Sequence, residues 1–203
     1  MAQGATLYPT LAGTLWPAGK ANAMLRGMVL AVAGTALLTI AAKIQVPFYP
    51  VPMTLQTFVV LALGMAYGWR LGAATVLLYL AEGALGLPVF AGTPEKGIGL
   101  AYMLGGTGGY LIGFVLAAAA CGWLAERGWD RGVVRTAAAM LIGNAIIYVP
   151  GLLWLGGLFG WDKPILEWGL TPFLLGDLTK LALAAAVRPL AWRWLGRPGR
   201  AGS

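Results

Sequence analysis

The chain has 203 residues, of which 59% are hydrophobic and only 10% are charged, and its mean hydropathy is +0.77. Soluble domains have roughly 25% charged residues, so this composition excludes an ordinary water-soluble fold and favours a protein of the lipid bilayer. The net charge of +7 does not indicate nucleic-acid binding, because the basic residues lie at the edges of apolar segments and form no alternating basic and aromatic stripe. The sequence has no histidine and one cysteine, which excludes histidine-based chemistry and an intrachain disulfide.

Six long apolar segments predict an all-α membrane protein with six transmembrane helices. Each segment is close to the roughly 20 residues that cross about 30 Å of hydrocarbon at a rise of about 1.5 Å per residue. The predicted helices cover residues 24–42, 54–69, 71–87, 108–125, 136–157 and 170–191. They belong to one transmembrane domain, residues 23–195. Residues 1–22 lack a signal-peptide pattern and are expected to be a loosely ordered cytoplasmic tail, and residues 196–203 are a basic C-terminal tail.

The distribution of lysine and arginine predicts the orientation of these helices. If both termini face the cytoplasm, ten basic residues lie on the inner side: Lys20, Arg26, Arg70, Arg127, Arg131, Arg135, Arg188, Arg193, Arg197 and Arg200. Only Lys43, Lys96 and Lys163 then lie on the outer side, and Lys180 falls within the sixth helix. Cytoplasmic loops carry an excess of basic residues, so this asymmetry predicts an even number of spans with both termini in the cytoplasm.

The connections between the predicted helices differ in character. The second and third helices are separated only by a Gly-Trp-Arg turn at residues 68–70. On the outer side, residues 46–53 read V-P-F-Y-P-V-P-M, and three prolines cannot continue a helix, so we expect a stiff apolar lid. The outer connection at residues 88–107 leads into G-G-T-G-G before Tyr110; no Lys-Ser or Lys-Thr follows, which favours a turn over a phosphate loop.

Polar residues inside the predicted spans are the main functional candidates, because ionisable groups are costly in hydrocarbon. Three helices each carry one polar stripe at a spacing of three or four residues, formed by Tyr79 with Glu82, Asn144 with Tyr148, and Asp177 with Lys180. At about 1.5 Å per residue these stripes lie at a similar depth in the outer half of the bundle. The sequence therefore predicts an outward-facing cavity that captures an external small molecule.

Structural explanations of the same residues remain open. Asp177 and Lys180 could neutralise each other as a buried pair that needs no ligand. Tyr79 and Tyr148 could be packing aromatics, Asn144 could make an interhelical hydrogen bond, and Glu82 could reach interfacial water. A strip of small residues on the first helix, formed by Gly27, Ala31 and Thr35, is likewise compatible with internal packing or with docking of another membrane subunit.

Four segments resemble the BioY family, the biotin-binding subunits of energy-coupling-factor (ECF) importers. They are V-P-F-Y-P-V-P-M-T-L-Q-T at residues 46–57, L-Y-L-A-E-G-A-L-G-L-P-V-F-A-G at 78–92, G-G-T-G-G-Y-L-I-G-F at 105–114 and L-L-G-D-L-T-K at 174–180. The resemblance covers residues 25–191 and keeps the order of the four motifs. It implies a six-helix substrate-binding (S) component without a cofactor or catalytic activity, which binds biotin and works with a transmembrane coupling protein and two cytoplasmic ATPases.

Combined with the resemblance, the polar stripes give a hypothesis for the site. Asp177 would accept hydrogen bonds from the ureido N–H groups of biotin, and Lys180 or Asn144 would donate to its carbonyl oxygen. Other predicted site residues are Tyr79, Tyr148 and Phe90 around the rings and chain, Thr54 and Gln56 beneath the lid, and Glu82. The alternatives are an S component for another vitamin and a structural subunit of a membrane complex. A membrane enzyme is disfavoured by the absence of histidine and of any nucleophile beside a base.

Overall fold

The structure is a computed structural model that describes residues 8–17, 22–92, 98–174 and 176–177. This part of the chain consists of helices and one short hairpin. The helices are α1 (Leu11–Leu15), α2 (Ala23–Lys43), α3 (Gln56–Tyr67), α4 (Trp69–Ala84), α5 (Leu100–Met103), α6 (Gly108–Ala125), α7 (Val133–Phe159) and α8 (Ile165–Gly169). Strands β1 (Gln45–Val46) and β2 (Met53–Thr54) form the hairpin, and Trp129–Arg131 is a 3-10 turn.

Five of the six predicted helices are confirmed as α2, α3, α4, α6 and α7, with ends that differ by up to three residues. The predicted sixth helix begins with helical residues 171–174 and 176–177, and the rest of it lies outside the described residues. By length and composition, α2, α6 and α7 can each cross a membrane, whereas α3 is apolar but shorter. The short helices α1, α5 and α8 were not predicted.

Helix α6 lies at the centre of the bundle. In its 18-residue apolar window 67% of the residues are buried, against 17% for α2 and 39% for α7. A helix that is apolar on every side can be covered by neighbours on every side, and α6 packs against α3, α4 and α7. Small residues allow this close packing: a Cβ on Gly113 would lie 2.7 Å from the Cα of Ile147 on α7.

The junction between α3 and α4 is made by a single glycine. Gly68 has a φ of +83°, a left-handed conformation that favours glycine, so the predicted three-residue turn shortens to this position. The N–H of Trp69, the first residue of α4, donates to the Glu126 carboxylate at 3.2 Å. An acceptor with negative charge at a helix N-terminus satisfies an otherwise unpaired N–H and is favoured by the helix dipole.

One end of the bundle, called the lid end here, carries the hairpin. Strand β1 pairs antiparallel with β2, with Gln45 opposite Thr54 and Val46 opposite Met53. The N–H of Leu55 donates to the carbonyl oxygens of Ala41 at 3.2 Å and Ile44 at 3.0 Å. The predicted proline-rich lid is therefore a hairpin loop whose two ends are tied to the end of α2.

At the opposite end, part of the N-terminal segment is docked on the bundle. The N–H of Tyr8 donates to the carbonyl oxygen of Glu126 at 2.7 Å, and an Arg131 guanidinium N–H donates to the Pro9 carbonyl at 3.2 Å. Helix α1 follows, with Thr10 accepting a hydrogen bond from the Gly13 N–H at 3.2 Å and with Ala12 buried. Residues 8–17 therefore have contacts with the bundle that composition does not reveal.

The small-residue strip on α2 is packed internally at one end. Thr35 is buried, and its hydroxyl donates to the Glu82 carboxylate on α4 at 3.0 Å. A Cβ on Gly27, by contrast, would meet no atom within 4 Å. Internal packing therefore explains the part of the strip near the lid end, and the part near Gly27 faces away from the described bundle.

Candidate functional site

A cavity at the lid end lies between the lid, α3, α6, α7 and the helical residues after α8. Its volume is about 40 Å³, which is room for about three water molecules. The aromatic lining residues are Tyr102, Tyr110, Phe114, Tyr148 and Phe173; the polar ones are Thr54, Gln56, Thr57, Thr107 and Asp177; and Val51, Pro52 and Leu111 complete the lining.

Asp177 is the acidic group of this cavity and is buried, with 5% of its surface exposed. One carboxylate oxygen accepts a hydrogen bond from the Tyr148 hydroxyl on α7. The other accepts from the Thr57 hydroxyl on α3 at 3.3 Å. A buried carboxylate is tolerated only where donors replace its lost water. The two hydroxyls also fix the direction of the carboxylate, so a strong hydrogen-bond acceptor is held at the cavity wall.

Gln56 forms a second polar group at the start of α3. Its amide nitrogen donates to the Tyr79 hydroxyl at 2.7 Å, and that hydroxyl donates to the carbonyl oxygen of Val89 at 2.8 Å. The Thr54 hydroxyl lies 3.3 Å from the Gln56 amide oxygen and accepts from the Gln56 backbone N–H at 3.2 Å. Gln56 lines the cavity with its amide orientation set from both sides, and Tyr79 lies behind it, fully buried.

Replacing Tyr79 with phenylalanine is expected to lower the melting temperature by about 2–12 °C. The change leaves the Gln56 amide and the Val89 carbonyl without their shared partner, and an unpaired buried polar group costs about 1–3 kcal/mol. For a chain of this size each kcal/mol corresponds to about 2–4 °C. The measurement is thermal unfolding in detergent.

Tyr67→Phe is the matched control, because the Tyr67 hydroxyl has no hydrogen-bond partner among the described residues. Equal melting temperatures for Tyr79→Phe and Tyr67→Phe would contradict the role assigned to the Tyr79 hydroxyl.

A stack of aromatic rings supports the cavity wall next to Gln56. Phe90 stacks on Tyr102 with ring centroids 5.0 Å apart, and it meets Tyr79 edge-on at 5.4 Å. Burial raises the pKa of Tyr102 above the ordinary value for tyrosine, and a hydrogen bond with Thr107 partly offsets this rise. The Tyr102 phenol is therefore neutral at physiological pH and presents an aromatic ring without charge.

The opposite wall is held by hydrogen bonds between α6, α7 and the α8 region. The Tyr110 hydroxyl donates to the carbonyl oxygen of Gly169 at 2.8 Å, and the Tyr110 ring meets Tyr148 edge-on at 6.3 Å. The Trp154 indole N–H donates to the carbonyl oxygen of Gly105 at 2.9 Å. The glycine-rich segment is thus a turn before α6, as predicted, and it is fastened to α7.

Four of the predicted site residues line the cavity: Thr54, Gln56, Tyr148 and Asp177. Two others, Tyr79 and Phe90, lie behind the lining and support it. Lys180 lies outside the described residues. The structure therefore brings together polar groups from α3, α7 and residue 177.

Two predicted residues lie elsewhere. Glu82 faces α2, where it accepts the hydrogen bond from Thr35, because the rotation of α4 turns Glu82 away from the cavity even though Tyr79 is three residues before it. Asn144 lines a neighbouring cavity of about 370 Å³ that Tyr148 and Asp177 also border. The amide oxygen of Asn144 is buried without a hydrogen-bond partner among the described residues.

Sequence reasoning missed most of the aromatic lining and Thr57. Tyr102, Tyr110, Phe114 and Phe173 are among many aromatic residues of an apolar chain, and no periodicity separates pocket aromatics from packing aromatics. Thr57 carried a usable signal, because it directly follows Gln56 at the start of a span. Among the described residues no group of three or more acidic or cysteine side chains could hold a metal ion.

The fold and the site define a helical membrane protein that encloses a small polar and aromatic pocket beneath a hairpin lid. The sequence model described as the BioY family matches residues 14–197. The chain belongs to the BioY family, and it is a multi-pass protein of the bacterial cell membrane.

Relatives with curated names agree with this assignment. The chain is 40% identical to the "Probable biotin transporter BioY" of Pyrococcus horikoshii over 152 residues, which is 75% of this chain and 87% of that protein. It is 37% identical to the "Biotin transporter BioY" of Thermotoga maritima over 163 residues, covering 80% of this chain and 94% of the relative. The fold is similar to a crystal structure of the S-component for biotin from an ECF-type ABC transporter, with a TM-score of 0.69, 25% identity and coverage of 90% of this chain and 97% of the other.

Proposed function

We propose that this protein is the S component of an ECF-type transporter and captures biotin for uptake. The observation that carries the proposal is the buried Asp177 carboxylate, fixed by Tyr148 and Thr57 in an aromatic cavity under the lid. Biotin offers the complementary chemistry, since its ureido ring has two N–H donors and its remaining surface is largely apolar. Charge-assisted hydrogen bonds in such a site are stronger than neutral ones.

The groups around the cavity suggest a position for each part of biotin. Asp177 accepts hydrogen bonds from the ureido N–H groups, and Lys180 donates to the ureido oxygen. Tyr110, Phe114 and Phe173 pack against the fused rings, and the valerate chain points toward the lid. Asn144 lies in the neighbouring cavity, which makes Lys180 the better candidate for the ureido oxygen. The cavity of about 40 Å³ requires the lid to move before a ligand of this size can enter.

The arrangement in the membrane follows the basic residues. In this proposal the chain has six spans with both termini in the cytoplasm, and the lid end faces outward. Three lysines then lie on the outer side and ten basic residues on the inner side, in agreement with the positive-inside rule. The role is transport without catalysis, and a transmembrane coupling protein and two cytoplasmic ATPases supply the energy for uptake. Co-purification of these three partners with the tagged chain is the result expected from cells that take up biotin.

Thermal stabilisation by a panel of vitamins tests the proposal. A ligand at 100 times its dissociation constant stabilises the folded protein by about 2.7 kcal/mol, which is about 5–11 °C in melting temperature for a chain of this size. We expect biotin to produce this shift in the detergent-purified protein, and thiamine and riboflavin to produce none. A shift with another vitamin alone would indicate an S component for that vitamin. No shift with any vitamin would favour a structural subunit.

A further inference from the structure

Lys43 connects the base of the lid to the connection between α4 and α5. It is the last residue of α2 and directly precedes the segment that enters β1. Its side-chain amine donates a hydrogen bond to the carbonyl oxygen of Phe90 at 2.6 Å. The contact therefore spans two separate segments at the lid end, and Lys43 does not itself line the cavity among the described residues.

The segment that Lys43 holds, residues 89–91, is buried although it belongs to a connection. Val89, Phe90 and Ala91 are 8%, 5% and 1% exposed. Connections normally run over the surface, because buried backbone groups need hydrogen-bond partners. Here two successive carbonyl groups receive side-chain donors from different helices: Tyr79 on α4 donates to Val89, and Lys43 on α2 donates to Phe90.

The Phe90 ring carries this constraint to the cavity. It stacks nearly parallel on Tyr102, with an interplanar angle of 14°, and Tyr102 lines the cavity. The other side of the ring lies so close to Gly83 on α4 that a Cβ there would overlap it. With Phe90 enclosed between Gly83 and Tyr102, a shift of its backbone carbonyl displaces the ring, and the ring displaces the Tyr102 wall.

We propose that Lys43 is a positioning residue for the ligand pocket, acting through Phe90 and Tyr102. The proposal rests on the proposed capture of biotin and adds a residue outside the pocket that controls it. Lys43 holds the wall in the shape that retains the ligand, and it holds the base of the lid against the same wall. Loss of the amine loosens both the pocket wall and the base of the lid. The dissociation rate of bound ligand therefore changes more than the association rate.

Ligand-binding kinetics on the detergent-purified chain test this role. We expect Lys43→Met to raise the dissociation rate of biotin roughly tenfold, as for the loss of a partly exposed charge-assisted hydrogen bond, and to leave the association rate within about twofold of the wild type. Lys43→Arg retains a charged donor and is expected to restore the wild-type dissociation rate. Lys43→Met leaves the buried Phe90 carbonyl without its side-chain donor, so its melting temperature without ligand should fall by a few degrees, whereas Lys43→Arg should keep the wild-type melting temperature.

Two controls separate positioning from other effects of the charge. Lys163→Met removes another lysine at the lid end, one that pairs with Asp162 at 3.0 Å, and should not alter release. Biotin amide, which lacks the carboxylate, should lose as much affinity in Lys43→Met as biotin does. An effect seen only with the carboxylate form would overturn the proposal, because Lys43 would then contact the ligand directly. An unchanged dissociation rate would also overturn it, whereas a wild-type chain that does not bind biotin would overturn the proposed function.

Discussion

Replacing Asp177 with asparagine is expected to weaken biotin binding by about 100-fold. Asparagine has nearly the same size and can still accept a hydrogen bond, but it removes the negative charge that strengthens bonds from two ureido N–H groups. Hydrogen bonds to charged groups contribute about 1.5–3 kcal/mol each, and about 2.7 kcal/mol corresponds to a factor of 100 in the dissociation constant. Isothermal titration of the purified variant measures the loss.

The control for this experiment is Asp162→Asn. Asp162 is also an acidic residue at the lid end, but its side chain is 71% exposed and it pairs with Lys163 on the surface. Exposed pairs of this kind contribute little, so biotin affinity and melting temperature should match the wild type. If Asp177→Asn folds normally and binds biotin as tightly as Asp162→Asn does, the role assigned to Asp177 is wrong.

Replacing Gly113 with alanine is expected to lower the melting temperature by about 2–8 °C. The added Cβ would lie 2.7 Å from the Cα and 2.8 Å from the carbonyl oxygen of Ile147, and these backbone atoms cannot rotate away. Overpacking costs about 1–3 kcal/mol, and contacts with backbone atoms place this change in the upper part of that range, about 2–3 kcal/mol, whereas the better helix propensity of alanine returns only about 1 kcal/mol. The net loss of about 1–2 kcal/mol corresponds to about 2–8 °C at about 2–4 °C per kcal/mol. The clash dominates because α6 and α7 would have to separate along their contact.

Gly157→Ala on α7 is the matched control, because a Cβ at that position meets no atom within 4 Å. Only the propensity effect remains there, so the melting temperature should stay constant or rise by about 2–4 °C. Thermal unfolding of both variants without ligand gives the comparison. Shifts of the same sign and size in Gly113→Ala and Gly157→Ala would contradict the close α6–α7 contact.

The positions of the long helices could be predicted because the apolar segments are long, and glycine marks some of their boundaries. The turn at Gly68 and the start of α6 at Gly108 are examples. The short helices α1 and α5 have five and four residues, which is too short for a helical period to appear in the sequence. The hairpin was also missed, because its two-residue strands give no alternation.

Some residues of the candidate site could likewise be predicted from the sequence, and others could not. Asp177 was predicted because a charge inside an apolar segment is costly and therefore conspicuous. The same rule selected Glu82, whose carboxylate instead bonds to Thr35 on α2. Helix α4 is apolar around much of its circumference, so the sequence does not specify which side turns toward the cavity. Asn144 and Tyr148 lie on one face of α7, yet only Tyr148 lines the pocket beneath the lid. Asn144 lines the neighbouring cavity, which Tyr148 also borders.

The sequence by itself determined that this protein belongs in a membrane, where its long helices lie, and that Asp177 is a functional candidate. These features depend on composition and on spacing along one chain, which decide how each segment partitions between water and hydrocarbon. The tertiary structure alone decided which polar groups meet, that Thr57 and Tyr148 hold Asp177, and that Lys43 reaches Phe90. Such contacts depend on the rotation and separation of neighbouring helices, which are set by close packing at residues such as Gly113 and leave no periodic signal in the sequence.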